Sequence, residues 1–267
     1  MRRALYLPPF GELAHPNVLA DLAASAEGAG FDGVFLWDHV VRPLNPDLPV
    51  CDPWIALAAM ASRTERITLG TRVTPLSRRR PQVVARQSVA LDQLSGGRFV
   101  LGVGLGGDNG GELGSLGEVT GLRARAEMLD EGLEVLQRLW SGEEVHHEGP
   151  HYRVDGLRFL PPPVRRSGIP VWVAAQSTKA APLRRAARFD GLCPEVPPEE
   201  LREMLAVVAD HRGGLGGFEV AAGGPPDGDP EPYREAGATW WLVQFPEVTA
   251  RGEVEEAIAG AALHGGA

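Results

Sequence analysis

What most constrains this chain is an alternation. Short apolar runs rich in β-branched or aromatic residues recur between segments whose apolar positions fall at helical spacing. Eight runs read as strands, at 5–8, 33–37, 67–73, 99–103, 171–175, 191–194, 218–222 and 239–245. Between them Leu19, Leu22, Ala23 and Ala26 share one helical face, as do Trp54, Leu57, Ala58 and Ala61, and Leu129, Leu133, Leu136 and Trp140. Strand runs alternating with amphipathic helices describe a parallel sheet wrapped by helices. Eight such units in 267 residues fit one α/β domain, a (β/α)8 TIM barrel, for which about 250 residues is usual. The expectation is therefore a single barrel domain over 1–267.

Local signals agree. Asp52-Pro53 and Arg80-Pro81 place proline where a first helical turn tolerates it, and Ser95-Gly96-Gly97 ends the helix before it. Two stretches are irregular: 104–120, with seven glycines, and 142–164, which reads as a hairpin-like insertion ending in Pro161-Pro162-Pro163. Loops that follow strands are where a barrel carries its chemistry.

Composition narrows the class. An apolar content of 43% with 23% charged residues suits a globular domain with a sizeable core, and the formal charge of −9 disfavours general nucleic-acid binding. No apolar run approaches the ~18 residues of a membrane span. The opening MRRALYLPPFGEL reaches Pro8-Pro9 after only four residues that could serve a signal peptide. A cytoplasmic protein without membrane partners is expected, with Cys51 and Cys193 as buried, reduced thiols, since they lie far apart without C-x-x-C pairing.

Several constellations could carry chemistry. The strand at 33–37 ends in Asp38-His39, which puts His39 at the C-terminal rim as a candidate acid, base or hydrogen-bond donor; a structural histidine is the competing account. Residues 102–107 formally satisfy G-x-G-x-x-G, yet the next helix starts only near Leu122, so a dinucleotide fingerprint is a poor reading. Missing side chains there would instead let a flat ring approach the backbone. Gln176-Ser177-Thr178-Lys179 precedes a helix and could bind an anion, although Ser177 or Thr178 as an ordinary N-cap explains it without a ligand. His146, His147 and His151 sit in a turn-rich hairpin and make a poor metal set, so no metal ligands are assigned. Arg78-Arg79-Arg80 reads as a solvated loop on the active rim, able to meet an anionic group.

Taken together, GFDGVFLWDHV, the block from DPWIALAAMASRTERITLG through TRVTPLSRRRPQVVARQSVALDQLSGGRFVLGVGLGG, and LDEGLEVLQRLWSGEEVHHEGPHYRVDGLRFLPPPV with IPVWVAAQS resemble luciferase-like flavin or deazaflavin oxidoreductases. The resemblance spans roughly 4–245. It implies a (β/α)8 barrel with the cofactor ring across the C-terminal mouth, His39 as the active-site histidine and Asp38 as its acidic neighbour. It further implies a non-prolyl cis peptide joining Arg72 and Val73 beneath the ring, and Gly106 and Gly107 beside it. Gln176, Ser177, Thr178 and Lys179 would hold the cofactor phosphate, with Arg125 assisting; in this context the anion site becomes the better account of that loop.

The expected function is thus a flavin-dependent oxidoreductase, a luciferase-like monooxygenase using reduced FMN on a small organic substrate. The alternatives are a reductase or dehydrogenase using the deazaflavin coenzyme F420, a non-catalytic flavin-binding barrel and a metal-dependent hydrolase. FMN is slightly preferred over F420. Deazaflavin-dependent sugar-phosphate dehydrogenases carry a Glu in the strand-four turn and a Trp just beyond the histidine, where this chain has Gly107 and Pro43. The basic run Arg78 to Arg80 argues the other way, as a seat for the polyglutamate tail of F420. The resemblance also suggests a homodimer, and a separate reductase as a source of reduced cofactor.

Overall fold

The fold was obtained as a computed structural model that describes residues 1–42 and 44–264. Each of the eight strand runs forms part of one all-parallel sheet. In chain order its strands are β1 (Arg2–Leu7), β2 (Gly33–Leu36), β3 (Thr68–Thr71) with a short continuation β4 (Thr74–Pro75), and β5 (Phe99–Gly104). After the hairpin β6 (Glu144–Glu148) and β7 (Arg153–Arg158) come β8 (Val171–Ala175), β9 (Gly191–Pro194), β10 (Glu219–Gly224) and β11 (Trp240–Gln244). The order is β3-β2-β1-β11-β10-β9-β8-β5, and β5 pairs back onto β3 to close the barrel.

The third strand departs from the single run expected at 67–73. It breaks at a cis peptide between Arg72 and Val73, and the two pieces pair separately with β5, Leu69 opposite Phe99 and Thr74 opposite Val103.

Helices α1 (Pro16–Gly28), α2 (Pro53–Ala61), α3 (Pro81–Leu94), α4 (Leu122–Trp140), α5 (Ala180–Ala186), α6 (Pro198–Arg212), α7 (Glu231–Glu235) and α8 (Arg251–His264) surround the barrel. Asp52 caps α2 by accepting from the Trp54 and Ile55 N–H groups, both at 2.9 Å. The expected inner faces are buried, except that Ala58 is half exposed and Met60 takes its place. Among the described residues no helix is long and apolar enough to cross a membrane. Cys51 and Cys193 are both buried and unpaired.

Two hydrophobic layers hold the fold. The larger lies between strands and helices; the smaller fills the barrel itself, around Phe35, Trp172 and Trp240. The Phe35 ring stacks on Trp172 at 5.2 Å, and Trp240 meets Phe35 edge-on at 5.9 Å. Glycine on neighbouring strands makes room for them: a Cβ at Gly33 would lie 2.9 Å from Trp240, at Gly70 2.7 Å from Phe35, and at Gly191 2.6 Å from Trp172. Large against small is how a barrel interior reaches crystal-like density. The aromatic plug closes the lower barrel and leaves the C-terminal mouth open.

Gly102 and Gly104 have a different role from the one expected. A Cβ on Gly102 would sit 2.0 Å from the Thr71 carbonyl oxygen, and one on Gly104 2.6 Å from Val73 Cγ2. The space freed by these glycines is filled by the protein's own broken third strand, not kept for a ring. The hairpin lies where expected, and its histidines pair with separate carboxylates: His146 with Glu144, His147 with Glu131, His151 with Glu127. Replacing Gly102 with Ala should therefore prevent closure of β5 on β3 and destabilise the protein by about 3 kcal/mol or more. A urea midpoint for Gly102→Ala equal to wild type would show that the two strands can part without cost.

Candidate functional site at the barrel mouth

Strand alternation decides what faces the mouth. Every second residue of a barrel strand points inward, so the inward series Ala4–Tyr6 on β1, Gly191–Cys193 on β9 and Leu242–Gln244 on β11 each end above the aromatic plug. Those last inward residues, joined by Arg72, floor a cavity of about 1000 Å³, at the upper end of the roughly 300–1,000 Å³ usual for small-molecule sites. One wall is apolar, from Val73, Pro75, Leu105, Ala174 and Ala175; His39 and Trp37 stand on another.

His39 is fixed by a carboxylate that sequence reasoning did not find. Its Nδ1 lies 2.7 Å from Glu112 Oε2, while Glu112 Oε1 accepts from the Val40 N–H and from Arg78 Nη1, each at 2.8 Å. Burial alone would favour the neutral acid. The His39 hydrogen bond, the Val40 amide and the charge of Arg78 outweigh it and bring Glu112 down to about 2. An ionised acceptor at this distance means that Nδ1 carries the proton, which leaves Nε2 as the ring nitrogen with a lone pair to accept one. Arg42 lies beside the ring, its Nη1 3.4 Å from both nitrogens, and is itself held by Glu247.

The loop after β5 delivers Glu112. Asp108 Oδ1 accepts from the Leu113 and Gly114 N–H groups at 2.7 and 3.1 Å, and Gly110 and Gly111 take left-handed φ of 74° and 87°, which side chains rarely adopt. The glycine-rich stretch is thus a built turn. Its one usable signal was charge: Asp108, Glu112 and Glu118 are its only ionisable residues, and Asp108 is occupied in capping.

Asp38 is not available for chemistry. Its carboxylate is wholly buried and accepts from Trp54 Nε1, Thr74 Oγ1, Arg78 Nη2, and Arg79 Nε and Nη2, at 2.7 to 3.1 Å. Burial opposes its ionisation, but Arg79 foremost, with Arg78 and Thr74, holds it below the ordinary carboxylate range. Arg78 and Arg79 are correspondingly drawn in against Asp38, the Arg78 side chain buried and that of Arg79 partly so, which corrects the solvated loop expected at 78–80; of the three only Arg80 is exposed.

The structure brings His39, Arg72, Val73, Gly106, Gly107, Gln176 and Ser177 around one cavity. Thr178 and Lys179 are exposed beyond its lining, and Lys179 precedes α5 without a side-chain cap. Arg125 departs from its expected place. It is buried, with Nε and Nη1 donating to the carbonyls of Thr120, Leu105 and Gly106, so it braces the loop after β5. Arg185, and not Arg125, lines the cavity together with Arg72, and it is paired twice with Asp130 at 2.5 and 2.8 Å. Among the described residues no group of three or more His, Cys, Asp or Glu is placed to hold a metal.

Because the folded Glu112 value lies below its ordinary 4.5, its contribution to stability is present above pH 4.5 and lost as pH falls towards 2. Wild type should exceed Glu112→Gln in unfolding free energy by an amount of order 1–3 kcal/mol above pH 5. That gap should close on acidification. Urea unfolding of both proteins between pH 6 and pH 2.5 measures it, and a gap that stays constant would remove the ionised carboxylate from the site.

A family model described as luciferase-like monooxygenase matches residues 6–227. The chain is 38% identical over 178 residues to an F420-dependent glucose-6-phosphate dehydrogenase of Nakamurella multipartita, covering 63% of this chain and 49% of the relative. It is 37% identical over 207 residues to the same-named enzyme of Microbacterium testaceum, covering 71% and 57%. The chain thus spans about half the length of these relatives. Among solved structures, a monooxygenase from Streptomyces bottropensis superposes with a TM-score of 0.81 at 22% identity, covering 99% of this chain and 98% of that one. A coenzyme F420-dependent tetrahydromethanopterin reductase from Methanopyrus kandleri superposes at 0.78 and 18% identity, covering 98% of both. These superpositions share the barrel, and the family model covers most of its strands: the chain belongs to the luciferase-like monooxygenase family.

Proposed function

We propose that this chain is an oxidoreductase that moves a hydride between the deazaflavin coenzyme F420 and a small organic substrate, with His39 handling the accompanying proton. The observation that carries the reading is the His39–Glu112 pair at 2.7 Å on the wall of a cavity with an apolar side. The F420-dependent dehydrogenases to which the chain is 37–38% identical support it. The slight preference for FMN gives way on the same ground. The argument from Gly107 also loses force, because Glu112 enters the site from further along the same loop; Pro43, the other point of difference, lies outside the described residues.

The residues present fit such a coenzyme. Val73, Ala174 and Ala175 would take the flat apolar ring, beside Gly106 and Gly107. Ser177 and Thr178 make no hydrogen bond among the described residues and, with Gln176 and Lys179, would hold the phosphate. With Arg78 and Arg79 paired to Asp38, Arg80 alone of that run is left for a polyanionic tail. When bound, the coenzyme supplies a two-electron hydride acceptor or donor. His39 Nε2 takes the hydroxyl proton of an alcohol being oxidised, or returns one to a carbonyl being reduced. Glu112 remains ionised throughout and stabilises the imidazolium at Nδ1. Val73, Pro75 and Leu105 keep water from the apolar wall.

A second reading, an FMN-dependent monooxygenase, is favoured by one observation: the Streptomyces bottropensis monooxygenase matches this chain end to end in shape. Calorimetric titration of the purified protein with F420 and with FMN separates the two. F420 should bind at least tenfold more tightly; the opposite order favours the monooxygenase, and binding of neither removes both. His39→Ala should keep F420 affinity within about threefold while lowering turnover of a screened alcohol or carbonyl substrate about 10²-fold, the scale of a lost acid–base group. Turnover equal to wild type would return His39 to a structural role.

A further inference from the structure

Arg72 is the last inward residue of the third barrel strand, and its side chain crosses the interior from β3 to β9. Nη2 donates to the Pro194 carbonyl at 2.9 Å, and the guanidinium stands 4.8 Å from the centre of the Tyr6 ring. The residue is 2% exposed and belongs to the floor of the cavity. Even so, Nε and Nη1 have no hydrogen-bond acceptor among the described residues. The closest carboxylate, Glu195, is 3.8 Å from Nη1, beyond hydrogen-bond range; it is half exposed and already accepts from Gln176 Nε2 at 2.6 Å. Tyr6 and Cys193 face the same group without supplying an anion. Burial raises both, the thiol to about 11, so each stays neutral near pH 7.

A guanidinium cannot shed its proton to escape such a site, and a buried donor without an acceptor is costly to keep. The other arginines lining or bracing the mouth each meet a carboxylate: Arg78 and Arg79 have Asp38, Arg42 has Glu247, and Arg185 has Asp130, while Lys179 and Arg80 are exposed to solvent. Among the described residues, Arg42 and Arg78 lack an acceptor at Nε only, whereas Arg72, on the floor of the cavity, lacks one at two nitrogens and has no carboxylate within hydrogen-bond range. From there Tyr6 and Trp37 lead to the catalytic wall, with ring centres 5.7 Å apart, and Trp37 lies 6.1 Å from His39. The Trp37 Nε1 donor is also buried without an acceptor.

We propose that the Arg72 guanidinium is an anion receptor at the floor of the cavity, and that the substrate is a small organic carboxylate whose charged group rests on it. This rests on reading the mouth as the oxidoreductase site, since it assigns the substrate class of that site. A carboxylate supplies the two acceptor oxygens that the free edges of the guanidinium require. With the charged end held by Arg72, the neutral part of the molecule extends along Tyr6 and Trp37 towards His39.

The test uses benzoate and benzamide, which share a shape and differ in charge, titrated calorimetrically into the full chain with and without F420. Wild type should bind benzoate at least tenfold more tightly than benzamide. Arg72→Gln should erase that preference and leave F420 affinity within threefold, while Arg72→Lys should keep part of it. Glu195→Gln, which removes the competing carboxylate, should tighten benzoate severalfold; a merely structural Arg72 predicts no such gain. Equal binding of the two probes to wild type, or a preference that survives Arg72→Gln, overturns the proposal. So does loss of F420 affinity in Arg72→Gln without a benzoate preference in wild type, which would assign the guanidinium to the coenzyme. If Arg72→Gln does not fold, Arg72→Lys and Glu195→Gln decide by the same readings. Should F420 fail to bind while the Arg72-dependent preference for benzoate persists, the hydride-transfer reading falls and the anion receptor stands.

Discussion

One guanidinium set between two buried carboxylates organises the working end of this barrel. Arg78 donates to Asp38 through Nη2 and to Glu112 through Nη1, at 2.7 and 2.8 Å, and all three side chains are at most 4% exposed. Neither carboxylate could stay ionised there alone, because desolvation favours the neutral acid. The bridge also joins pieces of chain far apart in sequence: the end of β2, the turn after β4 and the loop after β5. Arg79 and Trp54 Nε1 extend it to α2 through Asp38. His39 takes its orientation from this network, since Glu112 can hold Nδ1 only while Arg78 holds Glu112.

Beneath the network, packing sets how deep the mouth is. Phe35, Trp172 and Trp240 fill the lower barrel and stop below Tyr6 and Cys193. Glycines 33, 70 and 191 leave these rings the room they take in the interior. Above the plug, inward positions turn small or polar, and volume opens. The cavity is a consequence of where the large residues end.

Charge compensation then separates two kinds of arginine at the mouth. Arg78, Arg79, Arg42 and Arg185 each answer a carboxylate and mainly hold loops in place. Arg72 has a carbonyl and an aromatic face but no acceptor for two of its nitrogens. In a low-dielectric pocket that difference is what motivates the proposed receptor role of Arg72, since a weakly compensated charge has the most to gain from an anion.

The sequence by itself determined the barrel. Eight apolar runs and three amphipathic faces mark local preferences at fixed period, and each strand and helix they imply is present, with the hairpin at 144–158 where the prolines placed it. It also put His39 and the loop beginning at Gln176 on the correct rim, because a residue after a barrel strand has only one end to occupy. Tertiary structure decided which charges are active. Asp38 and Arg78 look exposed in a linear reading and are buried together; Arg125 looks like a phosphate ligand and braces carbonyls; Glu112, lost among glycines, becomes the partner of His39 across 73 residues of chain. Periodicity records the burial of apolar side chains, which is set within a few residues. The pairing of ions depends on distances between segments that only the closed barrel brings together, and no local pattern encodes them.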